Sequence, residues 1–291
     1  MQQINRNIYF EDSYLGVTIG ALVFPHGLIL IDAPLRSEDS RSWRSALINQ
    51  RGGSNKLLIN LDAHPDRTLG TRALDCTIVA HQKTALVFRN RSTIFKGQSI
   101  ETGADWETYN ESIGMRWAPP DITFDERITL HWGGPDVIVE YRPGPSTGSS
   151  WVTIPELKVA FVGDMVVVRQ PPFLAQADCA SWMENLEQLM TTYKDYTIIS
   201  GRGGLATQDD VKFQHKFIKE VKDKLDRLAE KKASPEETQL LIPGLLGQFK
   251  VQSENRELYR HRLSNGLFQA YLYRSKLVDS LGQIEIDELE S

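Results

Sequence analysis

The sequence predicts an α/β fold in which two β-sheets are sandwiched between helices. Three observations carry that expectation: β-rich runs arrive in two batches, helical periodicity follows each batch, and no internal repeat is visible. The composition fits a folded globular chain, since 41% of its 291 residues are hydrophobic and 24% are charged.

The first batch opens with Ile8-Tyr9-Phe10, Gly16–Phe24 and Leu28–Asp32, and Phe24-Pro25-His26-Gly27-Leu28 between the last two reads as a hairpin turn that accounts for His26. Trp43, Ala46, Leu47 and Ile48 give a short helical face. Lys56–Leu61 then reads as a buried strand that delivers the chain to Asp62, and Thr77–Ala80 as another strand. From about Lys96 to Pro120 the chain lacks periodicity and carries Gly, Asp, Asn and Pro, which predicts a mobile covering segment in which Trp106, Tyr109, Met115 and Trp117 pack under the loop or, as the alternative, face a substrate as a lid.

The second batch comprises Ile122–Leu130 and Val137–Tyr141 around the turn His131–Asp136, and then Trp151–Ile154 and Leu157–Val162 around Pro155-Glu156. Trp182, Leu186 and Leu189 recur at helical spacing, and Tyr196–Ile199 is a strand ending in Ser200-Gly201-Arg202-Gly203-Gly204. Val211, Phe217, Val221, Leu225 and Leu228 line one face of a long helix that ends in the solvated run Glu230-Lys231-Lys232. Ser234-Pro235-Glu236-Glu237 is a helix start with Ser234 as N-cap and Pro235 at the first position, and a last helix covers about Asn255–Val278. The expected division is a sandwich over residues 1–232 and a helical extension over 233–291.

The net charge of −5 with scattered Lys and Arg gives no basic stripe for nucleic acid, and no apolar run approaches the roughly 20 residues of a membrane helix. Neither nucleic acid nor membrane is an expected partner. No secretory signal is read at the start, and two cysteines far apart, Cys76 and Cys179, fit a reducing cytosol as buried thiols. No Gly-x-Ser-x-Gly elbow surrounds Ser146, Ser149 or Ser150. His81 and His131 read as strand-end and hairpin residues, and His215 and His261 as surface helix residues.

Five landmarks in order remain. Gly27–Asp32 is an early strand ending in aspartate; Asp62-Ala63-His64-Pro65-Asp66-Arg67-Thr68-Leu69-Gly70 follows a strand; then come Pro143–Ser149, Val162-Gly163-Asp164 and Ser200–Gly203. Over roughly residues 8–230 this set resembles the metallo-β-lactamase superfamily, whose loops read His-x-His-x-Asp-His-x-x-Gly, Pro-Gly-His-Thr-x-Gly-Ser, Gly-Asp and Gly-His-Gly. The resemblance implies an αββα metallo-β-lactamase-like sandwich with two metal ions, usually zinc, whose bound hydroxide attacks an ester, amide, thioester or phosphodiester.

The departures from that pattern are systematic. At the first metal the three histidines correspond to Asp62, His64 and Pro145; at the second, the aspartate and two histidines correspond to Asp66, Arg67 and Arg202. Asp164 keeps the bridging place. Proline offers no side-chain donor and arginine stays protonated, so neither replaces imidazole. At about 4 Å and an effective dielectric near 20, each guanidinium repels a dication by about 8 kcal/mol before screening or relaxation.

The leading expectation is therefore an internal Arg/Asp cluster standing in for the lost metals, in a protein without cofactor or conventional zinc hydrolase activity. Such a protein binds a small anion or a protein partner. Arg67 and Arg202 are the candidate anion grips unless Asp66 and Asp164 saturate them. The alternative is a hydrolase with one zinc, iron or manganese ion held by Asp62, His64 and Asp164, its bound water the nucleophile and Asp66 the base.

Overall fold

A computed structural model describes residues 1–48, 50, 53–96 and 101–289, with side chains except at 112 and 275–289. The first sheet has seven strands in chain order: β1 (Gln2–Asn5), β2 (Ile8–Glu11), β3 (Ile19–Phe24), β4 (Gly27–Ile31), β5 (Asn55–Asn60), β6 (Thr77–His81) and β7 (Ile122–Phe124). β1 to β4 run antiparallel; β4 to β7 are parallel. Parallel neighbours need crossovers, supplied by α1 (Ser37–Ile48), the one-turn α2 (Pro65–Thr68) and α3 (Gln82–Asn90).

The second sheet has six strands: β8 (Arg127–Leu130), β9 (Val137–Tyr141), β10 (Ser150–Ile154), β11 (Val159–Phe161), β12 (Thr197–Ile199) and β13 (Leu205–Ala206), ordered 13-12-11-10-9-8. α4 (Cys179–Met190), α5 (Gln208–Glu230), α6 (Ile242–Leu246) and α7 (Arg256–Leu289) complete the chain.

Alternation along the strands makes the layers. In β3, Leu22 and Phe24 face the second sheet, where Val139, Val152, Ile154 and Phe161 meet them, while Ile19, Ala21 and Val23 face the side covered by Trp43 and Leu47 of α1. The sheets touch closely at Gly20, where a Cβ would stand 2.4 Å from the Phe161 ring. Behind the second sheet Trp151, Ala160 and Ile198 pack on Trp182, Leu186, Val211, Phe217 and Val221. This is the expected αββα arrangement.

Two expectations need correction. Ile122–Leu130 is not one strand, because the chain leaves the first sheet after Phe124 and enters the second at Arg127; β7 pairs with β6 and β8 with β9. Asp125 and Glu126 make the crossing, and an unbroken apolar reading conceals it. The chain after Ser234 begins as a 3₁₀ segment, Pro235–Leu241, in which Ser234 N–H donates to Glu237 Oε1 at 3.2 Å.

Of the segment expected to cover the sheets from Lys96 to Pro120, residues 97–100 lie outside the described residues. The remainder is anchored by buried Trp106 and Trp117 in a cluster with Phe88 and Phe95. The helical extension shares the main core: Ile242, Leu245, Leu263, Leu267 and Tyr271 pack in the same cluster as Trp182 and Leu186. Among the described residues no helix is long and apolar enough to cross a membrane.

Trp182 joins these layers, fully buried and donating its indole N–H to Met165 O at 2.9 Å. Trp182→Ala is expected to cost about 3–5 kcal/mol in a urea unfolding curve, through the cavity and the orphaned carbonyl.

Candidate functional site: a buried guanidinium–carboxylate cluster

The site forms where loops leave the strand ends of both sheets. β4 ends in Asp32, which takes a left-handed φ of 56° and turns its carboxylate toward the next strand, where Oδ1 accepts Leu61 N–H at 2.9 Å. β5 then delivers Asp62, whose Oδ1 accepts His64 N–H at 2.8 Å and so tightens the turn. His64 caps α2: its Nδ1 accepts Asp66 N–H at 3.3 Å, and Pro65 sits at the first helical position. The cap faces Asp66 and Arg67 inward. Both are fully buried.

Arg67 lies among three aspartates. Its Nη1 donates to Asp32 Oδ2 at 2.5 Å, Nε lies 2.8 Å from Asp62 Oδ1, and Nη2 lies 2.6 Å from Asp164 Oδ1. Only the Asp32 contact is aligned as a hydrogen bond; Asp62 and Asp164 approach as charges, off the N–H axes. Ser146 Oγ donates to the other oxygen of Asp62 at 3.0 Å.

Arg202 enters from the loop after β12. Gly201 makes this possible: a Cβ there would fall 2.4 Å from Asp164 Oδ1, so only glycine lets the backbone pass this close. Arg202 Nη1 donates to Asp66 Oδ2 at 2.8 Å, Asp105 Oδ2 at 3.0 Å and Gly16 O at 3.2 Å, while Nε and Nη2 reach Asp164 Oδ2 at 3.4 Å. Its guanidinium carbon stands 4.7 Å from the Phe173 ring centroid, and that of Arg262 stands 4.1 Å from the same ring. Trp106 N–H donates to the remaining oxygen of Asp66 at 2.8 Å.

Five aspartates thus surround two arginines, and titration follows from that imbalance. At Asp66 burial acts to raise the pKa, but the pull of Arg202, helped by His64 and the Trp106 backbone N–H, wins and holds it below the ordinary range. At Asp164 burial is likewise outweighed, by Arg202 and Arg67 together, which hold it far lower. Asp32 goes the other way: burial exceeds the pull of Arg67 and lifts it to about 7. Burial, with the repulsion of Asp66, lifts Asp105 to about 6. The excess negative charge is relieved by protonation of Asp32 as pH falls through about 7 and of Asp105 as it falls through about 6.

Burial also depresses His64 to about 4, so its imidazole is neutral near pH 7. Nδ1 accepts from Asp66 N–H and lies 3.4 Å from Arg202 Nη2, which places the ring proton on Nε2.

The cluster brings together every residue that the sequence singled out: Asp62, His64, Asp66, Arg67, Asp164 and Arg202. Both arginines are engaged by carboxylates, the saturated alternative, so neither presents a free fork to a ligand. The donor set for one metal is spent as well. Asp62 and Asp164 face guanidiniums, His64 Nδ1 caps a helix, and among the described residues no group of three His, Cys, Asp or Glu side chains is arranged to hold a metal ion. With Asp66 paired to Arg202 and hydrogen-bonded to Trp106, no free base remains there. Dinuclear zinc does not fit these residues, because Arg67 Nη2 occupies the approach to the bridging carboxylate.

Two participants escape a sequence reading. Asp32 is visible only as a strand-end landmark, and Asp105 sits in the aperiodic segment with nothing to mark it.

With this geometry in view, the comparisons are consistent. A family model described as the metallo-β-lactamase superfamily matches residues 69–201. No curated protein matches the sequence. Among solved structures, a metallo-β-lactamase from Pontibacter korlensis superposes with a TM-score of 0.58 at 18% identity, covering 75% of this chain and 97% of that one. One from Erythrobacter litoralis gives 0.56 at 17%, covering 75% and 95%. A stereoselective inverting sec-alkylsulfatase from Pseudomonas sp. gives 0.65 at 12%, covering 92% of this chain but 49% of that enzyme. By fold this chain is similar to the metallo-β-lactamases, and its residues 69–201 match the superfamily's model.

Arg67→Met keeps bulk but leaves Asp32 and Asp62 without their cation and Asp164 with Arg202 alone; urea unfolding is expected to show a loss of about 3–5 kcal/mol. A second expectation concerns pH. A raised carboxyl pKa means that the fold holds a proton the unfolded chain has released, so the stabilisation from Asp32 is full below about 4 and is lost as pH rises through about 7. Asp66 and Asp164 act with opposite sign: their contribution is full above the ordinary carboxyl pKa and is lost as pH falls through their depressed folded pKa. The stability of wild type relative to Asp32→Asn is accordingly expected to fall between about pH 4 and pH 7 and to level off above it, read from urea midpoints.

Proposed function

We propose that this protein uses the metallo-β-lactamase fold without its metal chemistry, as a binding module in which Arg67 and Arg202 take the place of two metal ions. One observation carries the reading: both guanidiniums are almost wholly excluded from water, and each forms ion pairs with carboxylates at ligand positions. A dication admitted there meets two fixed positive charges, and the carboxylates at its donor positions, Asp62, Asp66 and Asp164, are already paired with Arg67 or Arg202. The cluster also rigidifies the strand ends around an adjoining cavity.

That cavity has about 210 Å³ and is lined in part by His64, Trp106, Pro145, Ser146 and Phe173. A small anionic ligand is the occupant this reading favours. The neutral His64 imidazole and the hydroxyl of Ser146 suit recognition by hydrogen bonds, and without an activated water they supply no nucleophile.

The test is hydrolysis. A panel holding a β-lactam, a secondary alkyl sulfate, a thioester, a carboxylic ester and a phosphodiester is expected to turn over no faster with wild type than with His64→Ala, with or without added zinc, iron or manganese. Turnover that depends on His64 and on a metal overturns the reading.

A further inference from the structure

The adjoining cavity contains a cation that the cluster does not use. Arg91 follows α3, with its backbone N–H bonded to Phe88 O at 3.3 Å. Its guanidinium carbon lies 4.6 Å from the Trp117 ring centroid and 5.3 Å from that of Phe88. The Nη1 atom is buried and has no hydrogen-bond partner, and among the described residues no carboxylate pairs with this side chain within 4.0 Å. Asp62 supplies the nearest favourable charge, but Arg67, His64 N–H and Ser146 already engage both its oxygens.

Arginine remains charged at any ordinary pH, and burial only lowers this one to about 10. A half-buried guanidinium without an anion is costly, and ring faces compensate only in part. Arg67 and Arg202 are answered by aspartates; Arg262 has no carboxylate among the described residues and an unpartnered Nη2, but its Nε and Nη1 donate to Gly103 O, Gln170 Oε1 and Pro171 O. Arg91 alone among the described residues lining the cavity carries a charged side chain. Much of the remaining wall is apolar, formed by Val87, Trp106, Pro145 and Phe173.

We infer that this cavity is a binding site for a small monocarboxylate with an apolar body, Arg91 holding the carboxylate and the aromatic wall holding the body. The inference rests on the metal-free reading, since a metal at the cluster's edge offers any anion a stronger partner. Size agrees: an apolar cavity of about 150 Å³ accepts benzene, and the 210 Å³ here leaves room for a ring and one carboxylate. The planar fork suits a carboxylate in two-point contact. The neutral His64, a neighbour along the wall, adds no competing negative charge.

The experiment is calorimetric titration of the full chain with benzoate, phenylacetate and 3-methylbutanoate, with metal content measured on the same preparation. At least one carboxylate is expected to bind saturably at a single site. Phenylacetamide, matched in shape but uncharged, is expected to bind at least about tenfold more weakly than phenylacetate, as is phenylacetate to Arg91→Gln, a loss of about 1.4 kcal/mol. Arg91→Lys is expected to fall between the two, and inorganic phosphate, lacking the apolar body, to bind more weakly than the best carboxylate.

The inference is overturned if none of the three binds, if the amide matches the acid, if phosphate matches the best carboxylate, or if folded Arg91→Gln binds as wild type does. Should that variant not fold, the acid–amide comparison in wild type decides. Stoichiometric metal in the preparation counts against the metal-free reading instead, so the two failures are distinguishable.

Discussion

Two guanidiniums sealed from water among five carboxylates form an arrangement in which no member is stable alone. Each charge, moved from water into the interior, loses several kcal/mol of hydration, and attraction within the cluster offsets that loss only while every partner is in place. The chain therefore has to bring Asp32, Asp62, Asp66, Arg67, Asp105, Asp164 and Arg202 together as it folds or leave a buried charge uncompensated. In the metal-dependent pattern that the family resemblance implies, dications play that organising part. Here guanidinium side chains stand among the carboxylates, which ties the site's integrity to the fold.

The sandwich explains how residues so distant in sequence converge. β4 and β5 lie side by side and deliver Asp32 and the Asp62–Arg67 turn; β11 and β12, adjacent in the other sheet, deliver Asp164 and Arg202. The inner core of Leu22, Phe24, Val152 and Phe161 sets the spacing of the sheets and thus the distance between the two pairs. Gly201 permits the final approach. Asp105, from the covering segment, closes the cluster over Arg202, so the loop above the site is fastened by charge as well as by Trp106 and Trp117.

Much of this was legible in the sequence because it rests on local pattern. Alternation and helical spacing mark the strands and helices, and the five ordered landmarks mark the loops that converge. The join between β7 and β8 was not legible, since hydrophobic alternation runs through it and only tertiary pairing reveals the change of sheet. Asp105 was not legible either, for its role depends on where an aperiodic segment comes to rest. Whether the arginines face each other's carboxylates or an open cleft is a matter of a few ångströms, set by packing. Arg91 lay outside the reading altogether, at the end of a helix with no motif around it.

The account stands or falls on the electrostatic substitution at the second metal position, where Asp66 and Asp164 retain their places and only Arg67 and Arg202 depart from the pattern. Calorimetric titration of zinc into wild type beside the double variant Arg67→His/Arg202→His tests it directly. The account predicts no stoichiometric zinc binding by wild type and saturable binding by the double variant, whose two imidazoles and two carboxylates complete a four-ligand site. Tight, stoichiometric uptake of zinc by wild type would contradict it.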